Sequence, residues 1–209
     1  MGTKERIVEE ALNLFSIKGF HGTSVKNIAD AVGIKDSSLY KHYKSKQEIF
    51  DTIVKKMWEH IENMSESMGI PKEEDFEKVM EYYGELSESG IVSLSEKIFL
   101  FYLKDEFISK FWRMANIEQY NNPEIYGIFR HIFQEESINY QTKLFESLIK
   151  KGFFVEADAR VVAMNFYSPI YFLLCKYSGQ EFDESEAIDI LDKQVKEFYR
   201  IYRKPCINL

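Results

Sequence analysis

The chain has 209 residues and a net charge of −7, with 45% hydrophobic and 15% aromatic content that includes 17 Phe and 13 Tyr. It is too apolar for a disordered chain and too interrupted by charge for a fibrous one. Only 4 Pro and 10 Gly punctuate it, which favours helices joined by short loops over an all-β arrangement.

Ile7, Ala11, Leu14 and Phe15 recur at i, i+4, i+7 and i+8, and Val8 and Leu12 widen the stripe. The spacing predicts an amphipathic helix over 3–18, closed by Gly19. Thr23 or Ser24 is placed to cap a second helix of about two turns, with Val25, Ile28, Ala29 and Val32 inward. Gly33 stands where a left-handed turn residue is needed, and Asp36 or Ser37 opens a third short helix carrying Leu39, Tyr40 and Tyr43. After Ser45, the periodic run Ile49, Phe50, Ile53, Val54, Met57, Ile61 and Met64 predicts a helix over 46–68. At ~1.5 Å per residue it is a rod of roughly 33 Å, long enough to link two domains. The boundary is set at its start, giving domains 1–46 and 47–209. Further helices are predicted at about 72–88, 93–103, 105–117, 123–151, 157–177 and 184–203. Breaks are expected at Gly90, Asn121-Asn122-Pro123, Gly152 and Gly179, and a polar interruption at Glu135-Glu136.

The charge is unevenly spread. Residues 1–46 hold eight bases against five acids, a local +3, which leaves −10 on the remaining 163 residues. Only the first part would approach phosphate. Cys175 and Cys206 match no metal or redox spacing, so a reducing cytoplasm is the simplest setting. Met1 to Arg6 is polar and charged, so no secretory leader is expected. The longest apolar stretch, 161–175, falls short of the ~20 residues a membrane helix needs and reads as a buried helix.

Two short helices joined by a tight glycine turn, the second polar and basic outward, form a helix-turn-helix. Its crossing lays the second helix in the ~12 Å major groove while the first braces it. A small αα-hairpin inside a core would share this spacing. Phe20 to Tyr43, "FHGTSVKNIADAVGIKDSSLYKHY", followed by "KSKQEIF", resembles the DNA-binding domain of the tetracycline-repressor (TetR) family over nearly every signature position of residues 4–54. The rest is similar only in length and helical character. The resemblance implies an all-α fold: a three-helix helix-turn-helix domain, then a helical ligand-binding and dimerisation domain. It also implies repression of double-stranded DNA operators relieved by a small molecule.

Position by position, the resemblance places Lys26 where the second helix meets a phosphate or base edge, Ser37 and Ser38 at the exposed start of the recognition helix, and Lys35 just before it. Tyr40 and His42 match a pair that contacts the DNA backbone, Lys46 a lysine that meets a phosphate, and Lys41 between them reads a base or a phosphate. Asp36 departs from the family pattern, and helix capping is the favoured role for its carboxylate over accepting from cytosine N4.

The resemblance further implies a four-helix bundle formed by the last two helices of two subunits. Ile188, Leu191, Val195, Phe198 and Tyr202 step by 3, 4, 3 and 4, a coiled-coil-like seam over 184–203 that a monomer would expose beside 157–177. A homodimer sets two recognition helices about 34–36 Å apart, as a palindrome requires. An apolar or aromatic effector is expected among Tyr102, Phe107, Trp112, Tyr120, Phe129, Phe133, Tyr167 and Tyr171, oriented by Tyr hydroxyls, Asn116 or Gln119, although most of these aromatics also suit a core. Wedged there, it would shift the 46–68 rod and the spacing of the recognition helices.

His131 and Glu135 lie one helical turn apart, yet two ligands are too few for a metal. No HExxH, GxSxG, P-loop or GxGxxG occurs, so neither a cofactor nor a catalytic site is expected. Two alternatives stay open: a helical carrier or enzyme that keeps a helix-turn-helix for packing, and a transcriptional activator.

Overall fold

The computed structural model describes residues 2–71, 76–178 and 181–205. Its elements are α1 (Thr3–Lys18), α2 (Val25–Val32), α3 (Asp36–Leu39), α4 (Lys46–Ser67), α5 (Phe76–Glu85), α6 (Glu88–Lys104), α7 (Glu106–Glu118), α8 (Pro123–Arg130), a π-helical turn (His131–Glu136), α9 (Ser137–Lys150), α10 (Ala159–Tyr177) and α11 (Glu184–Tyr202). The fold is all-α, with one isolated antiparallel bridge, Phe154 to Arg203, among the described residues.

The helix boundaries follow local chemistry. Asp105, Asp158 and Asp183 cap α7, α10 and α11, each carboxylate accepting a main-chain N–H from the first turn. Pro123 is the first residue of α8, where its missing N–H costs nothing. The predicted break at Gly90 does not occur. Ser87 Oγ accepts the Gly90 N–H at 3.1 Å, so α6 starts earlier and carries Gly90 in its first turn, where glycine is tolerated. The expected break at Gly179 and part of the 72–88 helix lie outside the described residues. The polar stretch at Glu135-Glu136 falls in the π turn, where Ser137 Oγ reaches the Ile132 carbonyl at 3.5 Å.

The chain divides into two compact units, Met1–Asn63 with Lys104–Phe129, and Met64–Leu103 with Arg130–Leu209. The first holds α1–α3, most of α4, α7 and α8, so the helix-turn-helix packs with α7 as well as with the start of α4. Its core is Ile7, Leu12, Phe15, Ile28, Leu39, Ile49 and Phe50, continued by Ile108 and Phe111. The second unit is centred on Leu144, Phe145, Phe154, Val162 and Phe198. There Phe198 lies 5.4 Å from Phe145 and 4.9 Å from Phe166, ring centre to ring centre.

This core corrects the seam read from spacing. Leu191 is 0% exposed, and Val195 and Phe198 are also buried within their own chain. A 3-4 stripe packs equally well on neighbouring helices of one chain as on a partner, and here Phe198 packs on Phe145 of α9 and Phe166 of α10. The apolar side chains left outside are Val161, Met164 and Phe172 on α10 and Ile201 on α11. Val161, Met164 and Phe172, at spacings of 3 and 8, share one face of α10.

Candidate nucleic-acid interface

α2 begins with a reciprocal cap: Ser24 Oγ accepts the Asn27 N–H at 3.1 Å, and Asn27 Oδ1 accepts the Ser24 N–H at 2.9 Å. It ends at Gly33, which is left-handed at φ +77°. The Ile34 N–H then reaches back to the Ala29 carbonyl at 3.0 Å, the six-to-one bond of a Schellman turn. That turn redirects the chain into α3, and Ile28, Ala29, Val32 and Leu39 are buried around the corner.

With Leu39 inward, Lys35, Asp36, Ser37, Tyr40, Lys41 and His42 are exposed and Ser38 is half-buried. Lys26 is exposed on α2. Asp36 does not cap α3: the helix starts at Asp36 itself, with no side-chain cap at Lys35. The Lys35 carbonyl instead accepts the Ser38 and Leu39 N–H groups. Beyond Leu39 the chain continues in tight turns, the His42 N–H bonding the Leu39 carbonyl at 2.8 Å. Tyr43 then turns inward, its phenol pushed up by burial, with the Lys4 ammonium 5.2 Å from its ring. Of the eight residues singled out for DNA, six are exposed, and Ser38 and Lys46 are half-buried.

Lys46 differs. Its Nζ donates to the Phe20 carbonyl at 2.5 Å and the Thr23 carbonyl at 2.7 Å, and sits 4.1 Å from the Phe20 ring centre. Burial lowers its pKa, partly offset by the charge of Glu118. Two of its three donors therefore brace the turn before α2, and only the third remains for a phosphate.

Two supporting contacts carry no signal in the local spacing. Arg6 Nη2 donates to the Val32 carbonyl at 2.6 Å, tying α1 to the last turn of α2. Glu118, 2% exposed at the end of α7, accepts from the His21 main-chain N–H at 3.3 Å, and its other oxygen lies 3.2 Å from His21 Nδ1. A glutamate ending an amphipathic helix ordinarily faces water, so sequence could not have marked it.

The eight aromatics expected to line an effector site divide between the two units. In one, Tyr102 meets Phe133 edge-on at 6.0 Å, the Tyr167 hydroxyl donates to the Phe133 carbonyl at 2.5 Å, Tyr167 and Tyr171 lie 6.0 Å apart, and Gln134 Nε2 donates to the Tyr171 hydroxyl at 2.7 Å. Burial pushes the Tyr102 phenol up to about 12 and raises that of Tyr167 as well. In the other unit, Trp112 meets Phe129 at 4.9 Å and Phe107 stacks on His60 at 4.6 Å. Tyr120 is 87% exposed, a solvent side chain. Asn116, also exposed, spends its amide on the Trp112 carbonyl at 2.9 Å.

His131 Nδ1 lies 3.4 Å from a Glu135 oxygen, and no group of three or more metal-ligating side chains occurs among the described residues. Nor, among those residues, is any helix long and apolar enough to cross a membrane.

A short helix held polar side outward by a glycine turn and braced by a first helix has the form of a DNA-binding helix-turn-helix. Residues 7–53 match the model of the bacterial regulatory proteins of the tetR family. IcaR of Staphylococcus aureus strain Newman, the negative transcriptional regulator of the biofilm operon icaADBC, is 26% identical over 147 residues, 70% of this chain and 72% of IcaR. A TetR-family transcriptional regulator from Mesorhizobium loti superposes with a TM-score of 0.68 at 19% identity over 97% of both chains. SmeT in complex with triclosan superposes at 0.66 with 17% identity, over 100% of this chain and 95% of SmeT. Over residues 7–53 the chain is thus similar to the tetR family of bacterial regulatory proteins, and its fold is that of the TetR-family structure from Mesorhizobium loti.

Proposed function

We propose that the protein is a cytoplasmic homodimeric repressor that binds palindromic operators in duplex DNA and is released by a small, largely apolar or aromatic ligand. The observation that carries this reading is the outward set Lys35, Ser37, Tyr40, Lys41 and His42 in and around α3, over a buried Leu39, polar side chains with no role in the core. Residues 1–46 act as the DNA-reading part, and 47–209 carry the effector and dimer functions. Repression, and not activation, follows the negative regulator IcaR.

Dimerisation is supported by Val161, Met164 and Phe172, three large apolar side chains exposed along one face of α10, with Ile201 on α11. Covering them with the same face of a second subunit removes apolar area that a lone subunit leaves in water. Tyr102, Phe133, Gln134, Tyr167 and Tyr171 support an aromatic effector with a hydrogen-bonding group, since they join apolar rings to hydroxyls and an amide in one cluster. The triclosan held by SmeT is a ligand of this character.

The deciding experiment is fluorescence anisotropy with duplexes from the gene's own upstream region and with scrambled duplexes, across a salt series. A repressor prefers the upstream duplex by about a thousandfold or more, with affinity falling steeply as salt rises. Equal affinity for both duplexes overturns the reading.

A further inference from the structure

The end of α7 holds the turn between α1 and α2. Gly19 leaves α1 at φ +74°, and a Cβ placed on it would stand 2.5 Å from Glu118 Oε1 and 3.0 Å from Ile117 Cγ2. Only a residue without a side chain lets the carboxylate come this close to the turn. Both carboxylate oxygens are used, one near the His21 N–H and the other beside His21 Nδ1. His21 itself is 64% exposed while Glu118 is buried, so the acid has been brought inside to meet a main-chain group of a surface turn. A carboxylate removed from water without compensation is costly, which makes this contact one the fold must maintain.

The same turn is gripped from a second side. Lys46, at the first residue of α4, holds the Phe20 and Thr23 carbonyls, and the Thr23 hydroxyl donates to the Gly19 carbonyl at 2.9 Å. Lys46 is close enough to Glu118 for the carboxylate to raise its pKa against the effect of burial. Glu118 and Lys46 thus hold the same five residues of main chain, Gly19–Thr23, from two sides. The next residue, Ser24, caps α2, and α2 passes through the Gly33 corner into α3.

We propose that Glu118 is a positioning residue for DNA binding: from α7, 97 residues away in sequence, it sets the turn at Gly19–Thr23 and hence the direction in which α2 and α3 present their polar face. The proposal rests on the DNA-binding reading above. It adds that α7 controls the reading head through this one carboxylate, so a displacement of α7 by a fraction of an ångström is felt at the start of α2. Glu118 touches no DNA. Its loss therefore lowers affinity without altering the number of phosphates neutralised.

Three variants of the full chain test this. Glu118→Met keeps volume and removes the acceptor, Glu118→Gln keeps an acceptor and removes the charge, and His21→Ala removes only the imidazole at an exposed site. For Glu118→Met, amide hydrogen exchange of the 19–24 segment is expected to rise about tenfold or more while that of α1 is unchanged. Its affinity for the upstream duplex should fall about tenfold with the wild-type salt slope. Glu118→Gln is expected to restore both to within about threefold, and His21→Ala to lose about threefold in affinity. Wild-type exchange and affinity in Glu118→Met overturn the proposal. If that variant does not fold, an unchanged His21→Ala does the same. A wild-type protein with no preference for its upstream duplex removes the repressor reading instead, and the exchange measurement still decides the role of Glu118.

Discussion

Arg6 and Val32 are joined across 26 residues by a single charged hydrogen bond, Nη2 to the main-chain carbonyl at 2.6 Å. The carbonyls of the last helical turn have no intrahelical partner, and a cation there also meets the negative end of the helix. Arg6→Ala is expected to lower the unfolding free energy by about 1–2 kcal/mol, measured by urea denaturation. A variant as stable as the wild type would show that water satisfies Val32 equally well.

Lys41 and Lys46 are both cations near the proposed DNA surface, but their environments separate them. Lys41 is exposed, whereas Lys46 is committed to two carbonyls. Lys41→Ala should leave stability unchanged and flatten the plot of log affinity against log salt by about 0.9 for each phosphate that Lys41 neutralises. Lys46→Met should cost about 1–3 kcal/mol in stability and leave that slope nearly untouched. The opposite pattern would mean that the Lys46 ammonium leaves the turn for a phosphate when DNA binds.

Phe172 and Leu191 test where the subunit ends. Phe172 is 65% exposed on α10 and Leu191 is buried. In the proposed dimer Phe172→Glu places a carboxylate from each subunit in the shared apolar face, so dimer affinity should drop at least about a hundredfold while circular dichroism keeps its helical signal. Leu191→Ala instead should cost the subunit about 2–5 kcal/mol through a core cavity. Sedimentation together with thermal melting distinguishes the two. A dimeric Phe172→Glu protein would move the interface elsewhere.

Tyr102 gives a pH dependence of known sign. Its phenol is raised from the ordinary 10.0 to about 12 by burial, so the folded state keeps a proton that the unfolded chain releases first. This contribution is complete below pH 10 and is lost progressively as pH rises toward about 12. Tyr102→Phe removes the titration, and its urea midpoint should fall less steeply with pH over that window than that of the wild type. Lysines titrate in both proteins alike, so parallel curves would place the phenol in water.

Much of the first fifty residues was readable because their information is local. The 3.6-residue spacing of Ile7, Ala11 and Phe15, the Ser24 cap and the left-handed Gly33 each act within one or two turns, and the structure keeps all of them. Local reasoning failed where a side chain had a choice of partners. Nothing near Lys46 in the chain says that its ammonium folds back onto Phe20 and Thr23. The polar pair Glu135-Glu136 announced an interruption, but not that it would take the form of a π turn over His131–Glu136.

Helix placement, the reading-head corner and the uneven distribution of charge were dictated by residue order alone, since periodicity, capping and backbone freedom operate over a few neighbours. Which apolar face is core and which is left outside, the division of the aromatics between two units, and the burial of Glu118 beneath Gly19 were decided only when distant segments met. An amphipathic stripe states that a face must be covered but not by what, and a carboxylate takes its meaning from the donor opposite it, here a main-chain N–H 97 positions earlier in the chain.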